Sequence, residues 1–405
     1  MAALEAVACT NFLFTRGSTA DGSTMITYAA DSHVRYGELR YCPAADHAKG
    51  EMLKIYDYGS RKYRLSIQQP SHTYSVVGFI NEHQLAIGET TWGGREELSH
   101  GNAEGIDYGN LIYVALQRAR NCREAIKVMD ELVQEYGYGS GGESFSLCDP
   151  NEVWIYEIQS KGKEKGAVWV ARRVPEGFVC GHANQSRITT FPWERKGSSK
   201  SVSNKNLAKL FNAEVECVYS SDVASFARKN GWFAGNDADF SFADTYNPLT
   251  FDGARFCDAR VYAMFNRVAP DMKRYEAYAM GNIRAERLPL WIQPDHKIDV
   301  LEVMALMRDH FEGTPMDMSD DPGAGPWHCP YRWRPMTWEV DGQKYIHERA
   351  TSTQQTGFSF VAQCRSWLPD KVGGILWFGV DDTYSTCYCP MYCGVTQIPR
   401  SEERR

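Results

Sequence analysis

The chain has 405 residues, of which 43% are hydrophobic and 23% are charged, so it can bury a large core in one large domain or in two of ordinary size. Its net charge is −7, and its lysines and arginines are interspersed with acidic residues. Because this distribution lacks the basic surface that phosphate backbones require, we expect no nucleic-acid partner. The longest apolar runs, such as residues 372–380, are far shorter than the ~20 residues of a membrane-spanning helix, so we expect no span.

Hydrophobic periodicity and turn residues divide the chain into strands and helices in a mixed order. Strands are predicted at residues 9–14, 24–30, 75–80, 84–90, 143–148, 152–159, 166–174, 177–183, 357–368 and 373–380. Helices are predicted at residues 105–118, 121–137, 204–211, 222–229, 254–267 and 299–311, the second of them capped by Asn121. Strands 75–80 and 84–90 read as a hairpin, and the four strands from 143 to 183 read as a meander. This order predicts an α+β fold in which layers of antiparallel sheet are covered by helices.

Two stretches do not fit regular elements. Residues 198–204 are polar and rich in serine, which predicts an exposed loop. Residues 313–337 are rich in proline, glycine and aromatic residues, which predicts a long structured loop. Such a loop either lines a site or packs without touching a substrate, and the sequence leaves both interpretations open.

Cys9 follows Ala6-Val7-Ala8 and opens a short apolar strand. Small residues two apart are what a signal peptidase accepts, so we interpret residues 1–8 as the remnant of a leader that is removed on maturation. Cleavage after Ala8 frees the α-amine of Cys9, whose pKa of roughly 8 suits it to act as the base for its own thiol. An ordinary buried thiol remains an alternative, whereas acylation of Cys9 as in a lipoprotein is disfavoured by Ala6.

The twelve cysteines do not form an obvious metal site. Cys387, Cys389 and Cys393 are the closest group, but no fourth ligand lies nearby, so packing or a disulfide is favoured over zinc. We expect neither a metal nor another cofactor.

Several segments spread over nearly the whole chain carry a family resemblance. They are Cys9-Thr10, DGSTM at 21–25, GETT at 88–91, GESFS at 142–146, GAVWVAR at 166–172, ANQSRI at 183–188, NPL at 247–249 and TQQT at 353–356. Together they resemble the PepD-type dipeptidases, cysteine peptidases of the N-terminal nucleophile hydrolase superfamily. Members of that family continue with a helical C-terminal part, so the resemblance implies a chain that is short at its C-terminus.

The resemblance implies a four-layer αββα sandwich, with residues 9–405 as a single domain. It implies that the Cys9 thiolate attacks an amide carbonyl, that its own amine moves the proton, and that water hydrolyses the resulting thioester. Asp31 matches the acid that holds the amine, Asn184 matches an oxyanion-hole donor, and Arg260 matches an arginine near the nucleophile. In the wider superfamily an arginine stands where this chain has Tyr28, and an asparagine stands where it has Thr91.

Each of these residues also has a structural interpretation. Asp31 could cap a strand end, and Arg260 could be a helix arginine that needs a paired acid. His33 and His182 leave a Cys-His dyad open, although the amine makes a histidine unnecessary.

A dipeptide carries an ammonium and a carboxylate, and both charges need partners when they are buried. The candidates for the ammonium are Glu89, Glu143 and Asp149, and those for the carboxylate are Arg16, Arg187 and Arg260. Thr91 is a further candidate for substrate binding. We also expect the loop that begins at Gly313 to close over the substrate and to limit its length.

Three functions remain open. The favoured one is an exported dipeptidase, periplasmic or extracellular, with small peptides as substrates; a cytoplasmic location is the alternative. The second is an amidase of the same fold that acts on N-acyl amino acids or conjugated bile acids. The third is a non-hydrolytic protein similar to the secernins. The sequence leaves a homo-oligomer open.

Overall fold

The structure, a computed structural model, describes residues 8–32, 37–57, 60–99, 101, 104–331, 337–346 and 348–397. Its strands are β1 (Ala8–Phe14), β2 (Thr24–Asp31), β3 (Tyr41–Cys42), β4 (Ala45–Asp46), β5 (Met52–Tyr56), β6 (Tyr63–Gln68), β7 (His72–Thr73), β8 (Val76–Val77), β9 (Ile80–Asn81), β10 (Ala86–Trp92), β11 (Gly142–Cys148), β12 (Val153–Ser160), β13 (Ala167–Arg173), β14 (Val179–His182), β15 (Ser201–Ser203), β16 (Cys217–Tyr219), β17 (Trp291–Ile292), β18 (Thr337–Val340), β19 (Gln343–Ile346), β20 (Thr356–Cys364), β21 (Ile375–Val380) and β22 (Cys389–Tyr392).

The α-helices are α1 (Tyr108–Arg118), α2 (Cys122–Tyr136), α3 (Val223–Lys229), α4 (Phe242–Tyr246), α5 (Ala259–Val268), α6 (Glu276–Ala279), α7 (Val300–Leu306) and α8 (Asp370–Gly373). Short 3₁₀ helices lie at Arg16–Ser18, Glu96–Leu98, Asn204–Phe211, Asp237–Asp239, Pro270–Tyr275 and Pro322–Trp327, and a π-helical turn at Gly253–Asp258 leads into α5. The mixture of helix and sheet confirms the predicted α+β class.

A seven-stranded sheet carries the N-terminal strand near its centre. Its strand order is β17-β14-β1-β2-β20-β21-β22, and its pairs are antiparallel. Because side chains alternate along a strand, Cys9 and Leu13 belong to one core cluster while Phe12 and Phe14 belong to another. The strand that contains Cys9 is therefore buried on both faces.

A nine-stranded sheet packs against the first sheet. Its order is β15-β16-β13-β12-β11-β10-β9-β8-β3, and β1 and β2 lie on β10 and β11. Polar side chains also join the two sheets: His182 lies with its ring nitrogens 2.7 Å from the hydroxyls of Thr90 and Ser146.

Helices cover the other face of each sheet. Helices α1 and α2 pack on the nine-stranded sheet, where Leu111 and Met129 join its core. Helix α5 packs on the seven-stranded sheet, where Tyr262 and Phe265 share a cluster with Phe12. Among the described residues, no helix is both long enough and apolar enough to span a membrane.

The predicted four-strand meander is wrong at its last member. β11, β12 and β13 pair in succession, but β14 leaves them and pairs with β1 and β17 in the other sheet. The partner of a strand is set by long-range contacts, which the alternation within that strand does not encode. This crossing places His182, and Asn184 just beyond it, beside the N-terminal strand.

The predicted exposed loop at 198–204 is also wrong in part. Ser201–Ser203 is a buried strand that pairs in parallel with Cys217–Tyr219. The serines are satisfied inside the protein, since Glu194 accepts hydrogen bonds from the backbone N–H and the hydroxyl of Ser203, at 3.1 and 2.8 Å. Polar composition alone therefore predicted solvent exposure where hydrogen bonding permits burial.

Candidate active site

Cys9 is fully buried at the second position of β1. It pairs with Ala30 of β2, while the preceding residue, Ala8, pairs with Asp31. Its Sγ lies 3.8 Å from the hydroxyl of Tyr28 and 3.8 Å from Oε1 of Glu89. The thiol thus meets side chains from both sheets, since Tyr28 belongs to β2 and Glu89 to β10.

The surroundings favour the protonated thiol. Burial raises the pKa of Cys9 well above its ordinary value, and the carboxylates of Glu89 and Asp31 raise it further. Hydrogen bonds with the backbone of Asp31 and with the Tyr28 hydroxyl lower the pKa of Cys9, but these are smaller effects. A thiol in these surroundings needs a base before it can act as a nucleophile.

Asn184 connects β14 to the N-terminal strand. Its backbone is in the left-handed region, with φ of 64°, which asparagine tolerates better than most residues. The backbone N–H of Cys9 donates to Asn184 Oδ1 at 3.0 Å, and Asn184 Nδ2 donates to the carbonyl oxygen of Thr91 at 2.5 Å. One side chain therefore links Cys9 to Thr91, two residues that the sequence placed in the site.

Arg260 lies on α5 and is almost completely buried. Its guanidinium donates to the carbonyl oxygen of Cys9 at 2.7 Å and to Asn184 Oδ1 at 2.8 Å. It also bonds Thr10 Oγ1 at 2.8 Å and the carbonyl oxygen of Ala183 at 3.0 Å. Burial, together with the nearby charge of Arg349, lowers the pKa of Arg260 to about 10, so the group still carries its charge at neutral pH. Arg260 thereby fixes the backbone of β1 at Cys9 and the backbone just after β14 at Ala183.

Asp31 ends β2 next to the nucleophile strand. Its carboxylate accepts from Arg349 Nη2 at 2.7 Å and from Thr356 Oγ1 at 2.6 Å. Burial raises the pKa of Asp31, while Arg349 and Thr356 oppose that rise. Sequence reasoning missed Arg349, and the signal that could have found it is the need of a buried carboxylate for a cationic partner.

Tyr28 of β2 connects the thiol of Cys9 to a carboxylate of the other sheet. Its hydroxyl donates a short hydrogen bond to Glu89 Oε1. Its ring packs edge-on against Phe79, Phe358 and Phe360, which holds it in place. The thiol therefore has a Tyr-Glu pair as its neighbour.

The proposed substrate-binding residues are placed unequally. Thr91 and Glu143 are opposite each other on β10 and β11, and Thr91 Oγ1 donates to Glu143 Oε1 at 2.9 Å. Arg187 is buried, and its guanidinium bonds Asp258 at 3.4 Å and the carbonyl oxygen of Pro289 at 2.5 Å. Arg16 is exposed beyond the far end of β1, after roughly 17 Å of strand. The structure thus brings Thr91 and Glu143 near Cys9 through Asn184, but it leaves Arg16 at the opposite end of the strand.

Of the two histidines of the Cys-His alternative, the structure describes His182, whose ring nitrogens face residues other than Cys9. His182 is fully buried with its two ring nitrogens facing Thr90 and Ser146, and His33 lies outside the described residues. In the part of the chain that the structure describes, no three His, Cys, Asp or Glu side chains form a metal-binding group, and all twelve cysteines are free thiols.

The long loop approaches the segment that carries Arg349. Residues 332–336 lie outside the described residues, but Met318 and Tyr331 line a small surface cleft together with Glu348 and Ala350. The loop therefore lies beside the segment whose Arg349 bonds Asp31.

Comparisons with known proteins point to peptidases. The model of Peptidase family C69 matches residues 40–404. A probable dipeptidase of Salmonella dublin is 22% identical over 420 aligned residues, which cover 99% of this chain and 84% of that protein. A probable dipeptidase of Latilactobacillus sakei is 22% identical over 395, which cover 93% of this chain and 72% of that protein. The family match starts after Cys9 and Asp31, so the case for these two residues depends on the geometry described above.

Proposed function

Since the chain belongs to Peptidase family C69, we propose that it is a cysteine-type dipeptidase whose nucleophile is Cys9. The peptidase class follows from the family, and the preference for dipeptides is supported by the names of the two relatives. The choice of nucleophile is supported by two hydrogen bonds that fix the backbone of Cys9. Asn184 accepts from its backbone nitrogen, and Arg260 donates to its carbonyl oxygen. These bonds fix the position of an N-terminal amine once residues 1–8 are removed.

In the proposed reaction, the amine of mature Cys9 accepts the thiol proton as Sγ attacks the scissile carbonyl carbon. The bond between that carbon and the leaving nitrogen breaks, the leaving nitrogen takes the proton, and a thioester remains. Water, deprotonated by the same amine, then releases the acid and regenerates the thiol. The raised pKa of Cys9 supports this route, because it keeps the resting thiol protonated until the amine acts.

The remaining site residues have supporting roles in this proposal. Asn184 Oδ1 orients the amine, and the N–H of the same amide that is not directed at the Thr91 carbonyl supplies a donor for the developing oxyanion. Asp31, held by Arg349 and Thr356, provides negative charge beside the amine. The positive charge of Arg260, on α5, partly compensates the negative charge of Asp31.

We also propose that the fold is the four-layer αββα sandwich of N-terminal nucleophile hydrolases, formed by residues 9–405. Two facing sheets with helices on their outer faces support it. Export from the cytoplasm remains part of the proposal, since it accounts for the Ala6-Val7-Ala8 sequence before Cys9. The loop that begins at Gly313 is proposed to limit substrate length, which is supported by its position beside the segment that carries Arg349.

The test is intact mass and N-terminal sequencing of protein made from the natural gene, with hydrolysis of a dipeptide panel. Cys9→Ala is the test variant, and Cys387→Ala, which removes an exposed thiol, is the matched control. We expect a chain that starts at Cys9, full activity in the control, and a loss of at least ~10³-fold in Cys9→Ala. A chain that keeps residues 1–8 and is active, or a Cys9→Ala variant that still cleaves dipeptides, would contradict the mechanism. Turnover of N-acyl amino acids without dipeptide cleavage would select the amidase instead.

A further inference from the structure

We infer that the carboxylate of Glu89 binds the α-ammonium group of the substrate and thereby makes the enzyme selective for peptides with a free N-terminus. This inference rests on the proposed function. Glu89 is fully buried on β10, and its Oε1 lies 3.8 Å from Cys9 Sγ. Among the described residues, Glu89 is the acid whose side chain forms a hydrogen bond with the Cys9 thiol.

Covalent geometry places the ammonium of a dipeptide next to the thiol. The amino nitrogen is separated from the scissile carbonyl carbon by one Cα, so the two atoms are about 2.5 Å apart. The carbonyl carbon must approach Sγ to roughly 3–3.5 Å before attack. The ammonium of a bound dipeptide therefore lies within about 6 Å of Sγ, which is the region where the Glu89 carboxylate is found. Longer peptides that are cleaved internally have an amide at this place.

The other two candidate acids are less well placed. Asp149 follows β11 at the end remote from Glu143, and it accepts the backbone N–H groups of Cys122, Asn151 and Glu152. Glu143 lies on β11 opposite Thr91, which is two positions further along β10 than Glu89. Its carboxylate accepts a hydrogen bond from the Thr91 hydroxyl. The tertiary structure therefore selects Glu89 from the three acids.

The chemistry of the pair fits an ammonium ligand. A carboxylate offers about four lone-pair sites, so the hydrogen bonds that Tyr28 and Cys9 donate to Glu89 Oε1 do not prevent this carboxylate from binding an –NH₃⁺ group. The positive charge compensates the buried carboxylate, whose negative charge otherwise opposes ionisation of the Cys9 thiol. A substrate with a free amine thus makes the thiol easier to deprotonate as it binds.

The experiment compares the dipeptide that the wild-type enzyme cleaves fastest with its des-amino analogue, in which hydrogen replaces the ammonium. For Glu89→Gln we expect kcat/KM to fall roughly 100-fold on the dipeptide and to change only a few-fold on the analogue, because one buried charge pair is lost. Glu157→Gln is the matched control: this carboxylate is also fully buried but bonds Ser186 and the backbone of Arg187. It should leave the ratio of the two substrates unchanged.

Equal losses on both substrates in Glu89→Gln would overturn the inference and place Glu89 in activation of the thiol, with the dipeptidase proposal intact. A wild-type enzyme that cleaves the analogue but not the dipeptide would overturn the proposed function itself.

If Glu89→Gln does not fold, a measurement on the wild-type enzyme alone still tests the inference. The ratio of kcat/KM for dipeptide and analogue should fall as the pH rises through roughly 8, where the substrate amine loses its proton. A ratio independent of pH would contradict the inference.

Discussion

At the scale of single residues, the site is a set of polar groups that bind one another as much as they bind the nucleophile. Arg260 joins Cys9 to Asn184, and Asn184 joins Cys9 to Thr91. The sequence identified Cys9 through the segment that precedes it and the other three residues through a family resemblance, but their mutual contacts follow only from the fold. Arg349 had no signal of its own, because an arginine in a long irregular segment is ordinarily a surface residue.

A substitution of Asn184 separates its backbone role from its side-chain role. We expect Asn184→Gly to keep the left-handed backbone and to lose about 10²–10³-fold in kcat, because the amide that orients the amine and meets the oxyanion is absent. Asn184→Ala should lose as much activity and also be less stable than the glycine variant by about 1 kcal/mol, since alanine is strained at a φ of 64°. Steady-state kinetics and urea unfolding measure both effects. Near wild-type kcat in Asn184→Gly would count against the role of the amide.

At the scale of elements, local patterns predicted helices better than strand partners. The helix pair predicted at 105–118 and 121–137 is present as α1 and α2, with the predicted Asn121 cap. The strand predicted at 75–80 is instead two short strands that turn at Gly78, whose φ is 56°. The helix predicted at 299–311 ends at Leu306, and Phe311 has a left-handed backbone. Caps and periodicity are local, whereas a turn inside an apolar run depends on what packs on it.

The Asn121 cap gives a prediction for α2. Asn121 Oδ1 accepts the backbone N–H of Glu124 at 2.9 Å, which satisfies one of the free donors at the start of the helix. Asn121→Ala should lower the free energy of unfolding by about 1 kcal/mol, while Asn121→Asp should stay close to wild type because aspartate caps equally well. Urea unfolding would measure the difference, with the dependence of the free energy of unfolding on urea concentration the same in all three proteins. An alanine variant as stable as the aspartate variant would exclude a stabilising cap.

At the scale of the whole molecule, the interface between the two sheets combines apolar packing with buried polar groups. His182 of the seven-stranded sheet lies between Thr90 and Ser146 of the nine-stranded sheet. Cys148 and Cys364 also meet across the sheets, with their sulfur atoms 3.7 Å apart. Such groups specify how the sheets align, since each must find a partner in the interior.

His182 makes the stability of the molecule depend on pH. Burial, with a smaller effect from the charge of Arg187, lowers the pKa of His182 to about 3. The unfolded chain takes up this proton near pH 6.5, so the stabilisation is present above that pH and is lost as the pH falls toward 3. When the pH is lowered from 7 to 4.5, the free energy of unfolding of wild type should decrease. For His182→Asn we expect this decrease to be smaller by roughly 2–3 kcal/mol.

Urea unfolding at both pH values measures this difference, and His296→Asn is the control. His296 is exposed, and its hydrogen bonds to Asp295 and Glu302 raise its pKa, so its removal should change the pH dependence in the opposite sense. Identical pH dependence in wild type and His182→Asn would contradict a neutral buried histidine.

The sequence by itself determined the α+β class, most helices and strands, and the peptidase family, because these depend on local periodicity and on motifs that lie within single segments. The tertiary structure alone decided that β14 crosses to the other sheet, that Arg349 pairs with Asp31, and that Glu89 is the acid beside Cys9. These contacts join residues that are 80 to 318 positions apart in the chain. No local pattern encodes them, because they arise only when the packing of two sheets brings distant strands together.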